Sequence, residues 1–573
     1  MTVLLVASVA LPAALALCWP WRALRPVGMA MAPWAAAPAL ALALGALMFP
    51  RTGPWVEIPM LLSGLRLGVD SVAAAFLLVT AFLWLAGGAF ARSYHRRDPR
   101  REAFFVFFLL TMAGSLGLIL AQDLVSFYVL FALMTFSAYG LVIHARSGKA
   151  IRAGRVYLAL VGSAGGIGAE AGAGATVGFG GELEAAWAAL PANRIPLLAG
   201  LLVAGFAVKA GIVPLHVWLP LAHPVAPTAA SALLSGALIK AGLLGWLRVL
   251  PMELGMPSLG TLLFLAGSTT ALYGVVVGLG QDDAKTVLAY SSVSHMGFMA
   301  MGTGLLVMDP ALAPAGLAAV VVYALHHGTA KGTLFLSVGL ADRAPRAGAS
   351  RARWRKLVLA GSFLPSLALA GVPLTAGAMA KGTLSGVLSE LRGTAQLPGM
   401  GPEVIELVLV VAAGGTTLLM ARFLVTLDRR IRGAGGEAAP WELGLALPWG
   451  ALLAAVGTAP FWVPGVVAVL PGAVLPPVRY APVSAWLPVV VAGAAAVWVL
   501  ARPGVLGPLA SGRIPAGDLL VPFEKPLSRR RSFRWAWRSL DRLTQGEQRP
   551  LPGALLAPLA VALVVLLAAA LMI

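Results

Sequence analysis

Cysteine and negative charge are what this sequence has least of. Its 573 residues include one cysteine, Cys18, which excludes an intrachain disulfide and any iron–sulfur or zinc cluster built on cysteine. Charged residues make up 11% of the chain against 59% hydrophobic, and the mean hydropathy is +0.87. So little charge excludes an ordinary soluble domain and predicts an all-α polytopic membrane protein. A dinucleotide fingerprint is missing too. Gly166, Gly168 and Ala171 have its spacing but follow no strand, and their apolar run, Gly162 to Gly181, reads as small residues that let helices approach closely. No cofactor is expected. The first apolar run lacks the charged start of a signal peptide, and Leu17 is too large to precede a lipoprotein cysteine, so a retained first helix is expected.

Basic side chains outnumber acidic ones, 42 to 23, for a formal charge of +19. They sit in short clusters between apolar runs, which points to lipid topology and to no nucleic acid. About sixteen runs are long enough to cross a ~30 Å hydrocarbon core. The clusters follow the odd-numbered runs: Arg22 and Arg25; Arg92 to Arg101; Arg146 to Arg155; Arg343 to Lys356; and Arg429 to Arg432. Loops after even runs carry Glu182, Glu184, Glu253 or Asp309 instead. Because positive loops stay in the cytoplasm, the expectation is a multi-pass protein of a prokaryotic cytoplasmic (inner) membrane with both termini outside the cytoplasm. The polar segment from Pro503 to Pro550 interleaves arginines with Phe533, Trp535 and Trp537, and reads as a helix lying on the headgroups.

Against that apolar background, buried lysines stand out. Lys209 and Lys240 interrupt the stretch from Ala204 to Arg248, where Gly211, Pro214 and Pro220 predict breaks in the helix. A lysine inside the bilayer costs about 2.5 to 3.5 kcal/mol on insertion scales, so it should face a bundle interior or an aqueous path. Asp283 opens a run with Tyr290, Ser291, Ser292, Ser294 and His295. Tyr323, His327 and Lys331 then fall at i, i+4 and i+8 on one helical face. The adjacent His326 and His327 point about 100° apart and have no carboxylate or cysteine beside them, which reads as a polar relay and not a metal site. Gly371 and Pro373 predict a second break, followed by Lys381.

The motifs KAGIVPLHVWLP, AHPVAPT and SALLSGALIKAG, then DDAKTVLAYSSVSHMG and HHGTAKGTLFL, closely resemble the antiporter-like membrane subunits of respiratory complex I, of hydrogenase-4 and formate hydrogenlyase type hydrogenases, and of Mrp cation/proton antiporters. Weaker similarity runs from near Asp70 to about Arg430. The resemblance implies a core of fourteen helices that holds two inverted five-helix repeats and has its seventh and twelfth helices broken, compatible with the count of about 16 transmembrane helices. Mapped on this chain it implies N-terminal helices in 1–102, a first repeat in 103–250, a second in 251–432, and C-terminal helices with a basic interfacial segment in 433–573. It gives Lys209 the central pumping role, Lys240 the connection, Lys331 with His327 the link in the second half, and Lys381 the terminal proton exchange. Pro214, His216, His223, Asp283, His295, His326 and Pro373 support them as polar or helix-breaking residues.

Two positions depart from the family. Its usual fifth-helix glutamate, in a Trp-Glu-Leu-Met context, is Ala132 within Phe131-Ala132-Leu133-Met134, and the first histidine of the later row is Tyr323. The expectation is that Glu170 replaces the missing carboxylate as partner of Lys209 or Lys240, while Asp123 is solvated at a helix end. The alternative is a Glu170 solvated nearer the outer surface. The resemblance implies a non-redox, proton-translocating subunit of a complex I-like or hydrogenase-type oxidoreductase, with membrane subunits, lipid, protons and Na⁺ as its partners. An Mrp-type antiporter subunit, or a structural module that has lost pumping, are the alternatives.

Overall fold

The computed structural model describes residues 1–49, 55–58, 64–162, 177–394, 402–434, 442–472 and 493. Glu170, the basic segment 503–550 and the last apolar run, 551–573, lie outside the described residues. Nine helical stretches among the described residues are long and apolar enough to cross a membrane. The N-terminal region holds α1 (Thr2–Leu17), α2 (Arg25–Met31) and α3 (Ala37–Met48). The apolar stretch after Arg22 forms a bent pair, Arg22–Met31 and Trp34–Met48, at 63°, with Pro33 at the corner.

A hairpin of β1 (Trp55–Ile58) and β2 (Leu65–Gly68), with Trp55 opposite Gly68, leads into α4 (Ser71–Tyr94), α5 (Arg101–Leu120) and α6 (Leu124–Val142). Aspartates start α4 and α6 by accepting free amides of the first turn. Asp70 takes Ala73 N–H and Asp123 takes Ser126 N–H, each at 2.8 Å. Asp123 is not solvated as expected. It is 0% exposed, because Arg66 N–H also donates to it at 3.1 Å and the hairpin covers that end.

After α7 (Gly148–Tyr157) the helix widens into a π turn, Leu158–Gly162. Beyond α8 (Gly181–Ala189) the chain forms α9 (Ile195–Ala210), α10 (Trp218–Val225), α11 (Thr228–Leu233) and α12 (Lys240–Val249). The α9 break lies at 211–217. Gly211 has φ 70°, its amide meets Val208 O at 3.1 Å, and Ile212 N–H reaches back to Ala207 O at 3.0 Å, the Schellman arrangement that a left-handed glycine permits. The freed amide of Val213 donates to Thr270 Oγ1 at 3.1 Å, so the interruption is satisfied inside protein. Pro220 does not break a helix. It falls in the first turn of α10, where an amide has no intrahelical partner anyway.

Next come α13 (Pro257–Leu279), α14 (Ala284–Met308) and α15 (Ala313–Asp342). Gly260, Gly267 and Gly274 form a seam at seven-residue spacing. A Cβ there would lie 2.5 to 2.7 Å from the α14 backbone, so only glycine allows the contact. All of α14 is buried. This explains how a helix with three serines and a histidine sits mid-bundle: its surroundings are protein, not lipid. Finally α16 (Gly348–Ala370) ends in the same manner as α9, with Gly371 at φ 82° and Val372 N–H to Leu367 O at 3.1 Å. It is followed by α17 (Ala376–Thr394), α18 (Pro402–Gly433) and α19 (Leu443–Val467).

Candidate functional site

Lys209, Lys240, Lys285 and Lys331 are buried and Lys381 is half-buried, and each of these five ammonium groups needs an oxygen or nitrogen acceptor to be tolerated inside the bundle. Four of them find a backbone carbonyl, three of these at a helix irregularity. Ile239 N–H bonds back five residues to Leu234 O in the π turn Leu234–Leu238, and Gly236 O there accepts Lys240 Nζ at 2.5 Å. Ala226 O, in the gap between α10 and α11, accepts Lys285 Nζ at 2.7 Å. Ala370 O, at the broken end of α16, accepts Lys381 Nζ at 2.7 Å, and Thr416 Oγ1 accepts the same group at 3.0 Å. Lys331 Nζ donates to Leu288 O on α14 at 2.9 Å. Irregular helix ends expose carbonyls, and a carbonyl at a helix C-terminus carries the negative end of the macrodipole.

Lys209 is different. Its Nζ donates to the Tyr157 hydroxyl at 3.1 Å inside an aromatic cage, 5.2 to 5.8 Å from the ring centres of Tyr157, Phe131 and Trp218. Such faces attract a cation, by about 2 kcal/mol when desolvated. Trp218 is fixed by its indole N–H to Val208 O at 2.7 Å, bridging the α9 break. From α6 it is the Phe131 ring that Lys209 meets, while Ala132 is half-buried.

The structure joins some of the expected residues directly. Lys240 Nζ lies 3.2 Å from His327 Nδ1, the His327 and His295 rings are 5.3 Å apart, and His295 Nδ1 is 3.2 Å from the Tyr323 hydroxyl. Tyr323, a departure from the family, thus occupies the line and not its margin. His326 is buried, with its ring 6.3 Å from that of Tyr323. Lys381 reaches the same group through Phe298, whose ring lies 5.8 Å from its Nζ and stacks on Tyr323. His216 packs against Tyr273 at 5.1 Å. His223 stacks on Phe335 at 4.6 Å, and both its ring nitrogens are buried with no partner among the described residues. Pro214 and Pro373 lie in the two breaks. Asp283 caps α14 and pairs with Arg430 at 2.9 Å, and Arg430 also holds Asp342 at 2.6 Å. The row is not one unbroken hydrogen-bonded chain, because Lys209 ends in its cage and Lys331 on α14.

Three contributors escaped the sequence reading. Tyr157 and Thr416 are each hydroxyls in apolar runs whose lysine partners are 52 and 35 residues away, which no local pattern signals. Lys285 was visible, two residues beyond the α14 cap, as a lysine opening a long uncharged run.

The family model described as NADH:quinone oxidoreductase/Mrp antiporter, TM, matches residues 121–392. Hydrogenase-4 component B of Escherichia coli is 33% identical over 301 residues, 49% of this chain and 44% of that protein. NADH-quinone oxidoreductase subunit M of Rhodobacter capsulatus is 32% identical over 297 residues, 48% of this chain and 55% of the other. The chain therefore spans about half the length of these curated relatives. In fold it is similar to a chain in the structure of the Mrp complex from Dietzia sp., with a TM-score of 0.71 at 24% identity, covering 94% of this chain and 62% of that one.

Proposed function

We propose that this chain, whose residues 121–392 match the NADH:quinone oxidoreductase/Mrp antiporter family model, translocates protons along its lysines and buried histidines as a membrane subunit of a larger assembly. The observation that carries this reading is the contact of Lys240 with His327. Two bases 3.2 Å apart share one hydrogen bond, so only one of them holds the bridging proton. Moving that proton from Lys240 to His327 Nδ1 leaves the other ring nitrogen to release one toward His295, a ring separation of 5.3 Å that one water can bridge. Lys209 with Tyr157 stands at one end of the row and Lys381 with Thr416 at the other. Lys331 and its Leu288 carbonyl flank the middle.

A relay of this kind moves charge but performs no chemistry, so the electron donor and acceptor belong to partner subunits. The setting is the cytoplasmic membrane of a prokaryote, with the arginine-rich loops on the cytoplasmic side. Ala132 and the phenolic partner of Lys209 favour a second reading, a structural module that keeps the fold without pumping.

Proton uptake by proteoliposomes containing the assembled complex separates the two. Lys209→Ala and Lys381→Ala should each abolish most translocation without loss of assembly, while Arg97→Ala, at an exposed position in the turn after α4, should leave it nearly intact. Unchanged uptake in Lys209→Ala supports the structural module, and sodium-dependent exchange without an electron donor supports an antiporter.

A further inference from the structure

We propose that His95, Asp98 and His144 form a binding site for a divalent transition-metal ion of the zinc class, at the arginine-rich ends of α4 and α6 and apart from the lysine row. The three side chains come from two separate places in the chain. His95 is the residue that ends α4, Asp98 lies in the loop to α5, and His144 follows the end of α6.

Their ligand atoms converge on one point. Asp98 Oδ2 lies 2.8 Å from His95 Nδ1 and 2.7 Å from His144 Nε2, and the three ligand atoms all fall within 4.8 Å of one another. A carboxylate that only fastens a loop needs one imidazole; here two aim at the same oxygen. Its other oxygen is occupied, accepting Arg100 N–H at 2.8 Å. The set is held from behind. Phe104 stacks on His95 at 4.2 Å and meets His144 edge-on at 5.5 Å, and Arg100 Nη1 donates to the His144 carbonyl at 2.9 Å.

Two imidazoles and a carboxylate are a common donor set for zinc-class ions, with a fourth position left for water. Tetrahedral ligands at about 2.0 to 2.1 Å from the ion are about 3.3 Å apart, so the two close pairs must open by about half an ångström, within reach of a turn of the Asp98 side chain. The imidazole side chains are 5% and 8% exposed while that of Asp98 is 23% exposed, which gives an ion an entry past the carboxylate. The surrounding charge selects the ion. Arg100 and Arg343, the latter packed on Tyr94 at 5.0 Å, oppose any cation held by charge alone, which works against Mg²⁺ and Ca²⁺ and leaves ions that prefer imidazole nitrogen.

The test uses the full chain in detergent or in its assembled complex. Competition with a chromophoric chelator should give one Zn²⁺ retained per chain in the wild type, not displaced by millimolar Mg²⁺ or Ca²⁺. His95→Gln, Asp98→Asn and His144→Gln should each weaken that binding at least about 10-fold. Should the variants fail to fold, Co²⁺ bound to the wild type serves instead, and the intense visible bands of a tetrahedral site are expected. An equal Zn²⁺ complement in all three variants, displacement by Mg²⁺, or only the weak bands of octahedral Co²⁺ would overturn the assignment.

Discussion

Replacing Gly371 by alanine changes two things at once, and Gly211 separates them. Both glycines end a broken helix in the left-handed region, at φ 82° and 70°, where a Cβ costs about 1 to 2 kcal/mol. At Gly211 that is the whole expected effect, because the added Cβ meets only Ile239 and Leu219, at 3.7 and 3.8 Å, ordinary contact distances. At Gly371 the Cβ would come within 2.7 Å of Lys381 Cδ and 3.0 Å of its Nζ. The lysine is flexible enough to move, but moving takes its ammonium off Ala370 O and Thr416. Hydrogen bonds to charged groups are worth about 1.5 to 3 kcal/mol. Gly371→Ala should therefore lose about 2.5 to 5 kcal/mol where Gly211→Ala loses about 1 to 2. Thermal melts of the purified chain compare the two, and proton uptake in proteoliposomes gives the functional arm. Gly371→Ala should lose most translocation while Gly211→Ala keeps most of it. Equal stability losses, or wild-type uptake in Gly371→Ala, would refute the placement of Lys381 at the broken end of α16.

Tyr157→Phe keeps the aromatic face toward Lys209 but removes its 3.1 Å acceptor, so stability should fall by about 1 kcal/mol and translocation should drop several-fold; normal uptake would remove Tyr157 from the relay. His223 carries two buried nitrogens with no described partner, so His223→Phe should be tolerated in stability melts, and a loss of several kcal/mol would mean that a partner holds the ring. Burial raises the Asp70 pKa, but Arg248 at 2.6 Å and the Ala73 amide outweigh it and hold the carboxyl below its ordinary 3.8. The stability advantage of the wild type over Asp70→Asn should be complete above about pH 3.9 and shrink as pH falls through the lowered folded value; a difference independent of pH would contradict the pairing. Reporters inserted at Glu253 and Arg346, three spans apart, should appear on opposite sides of the membrane, and finding them on one side would overturn the helix phase.

What the sequence determined by itself was the class of protein and the places where its helices had to stop. Hydropathy demanded spans, and glycine followed by proline at Gly211 and Gly371 demanded interruptions, because a missing amide and a left-handed residue cannot continue an α-helix. The lysines were legible for the same reason: a charge within an apolar run is costly enough to need an explanation. Their partners were not legible. Lys240 meets His327 across 87 residues and Lys209 meets Tyr157 across 52, and nothing in the α14 sequence says that protein surrounds it on every side. Only packing could turn Arg66 toward Asp123, or bring His95 and His144 to one carboxylate oxygen, since these contacts depend on which helix ends share a face. A helical repeat specifies which way a side chain points along its own helix; the tertiary structure decides what stands opposite.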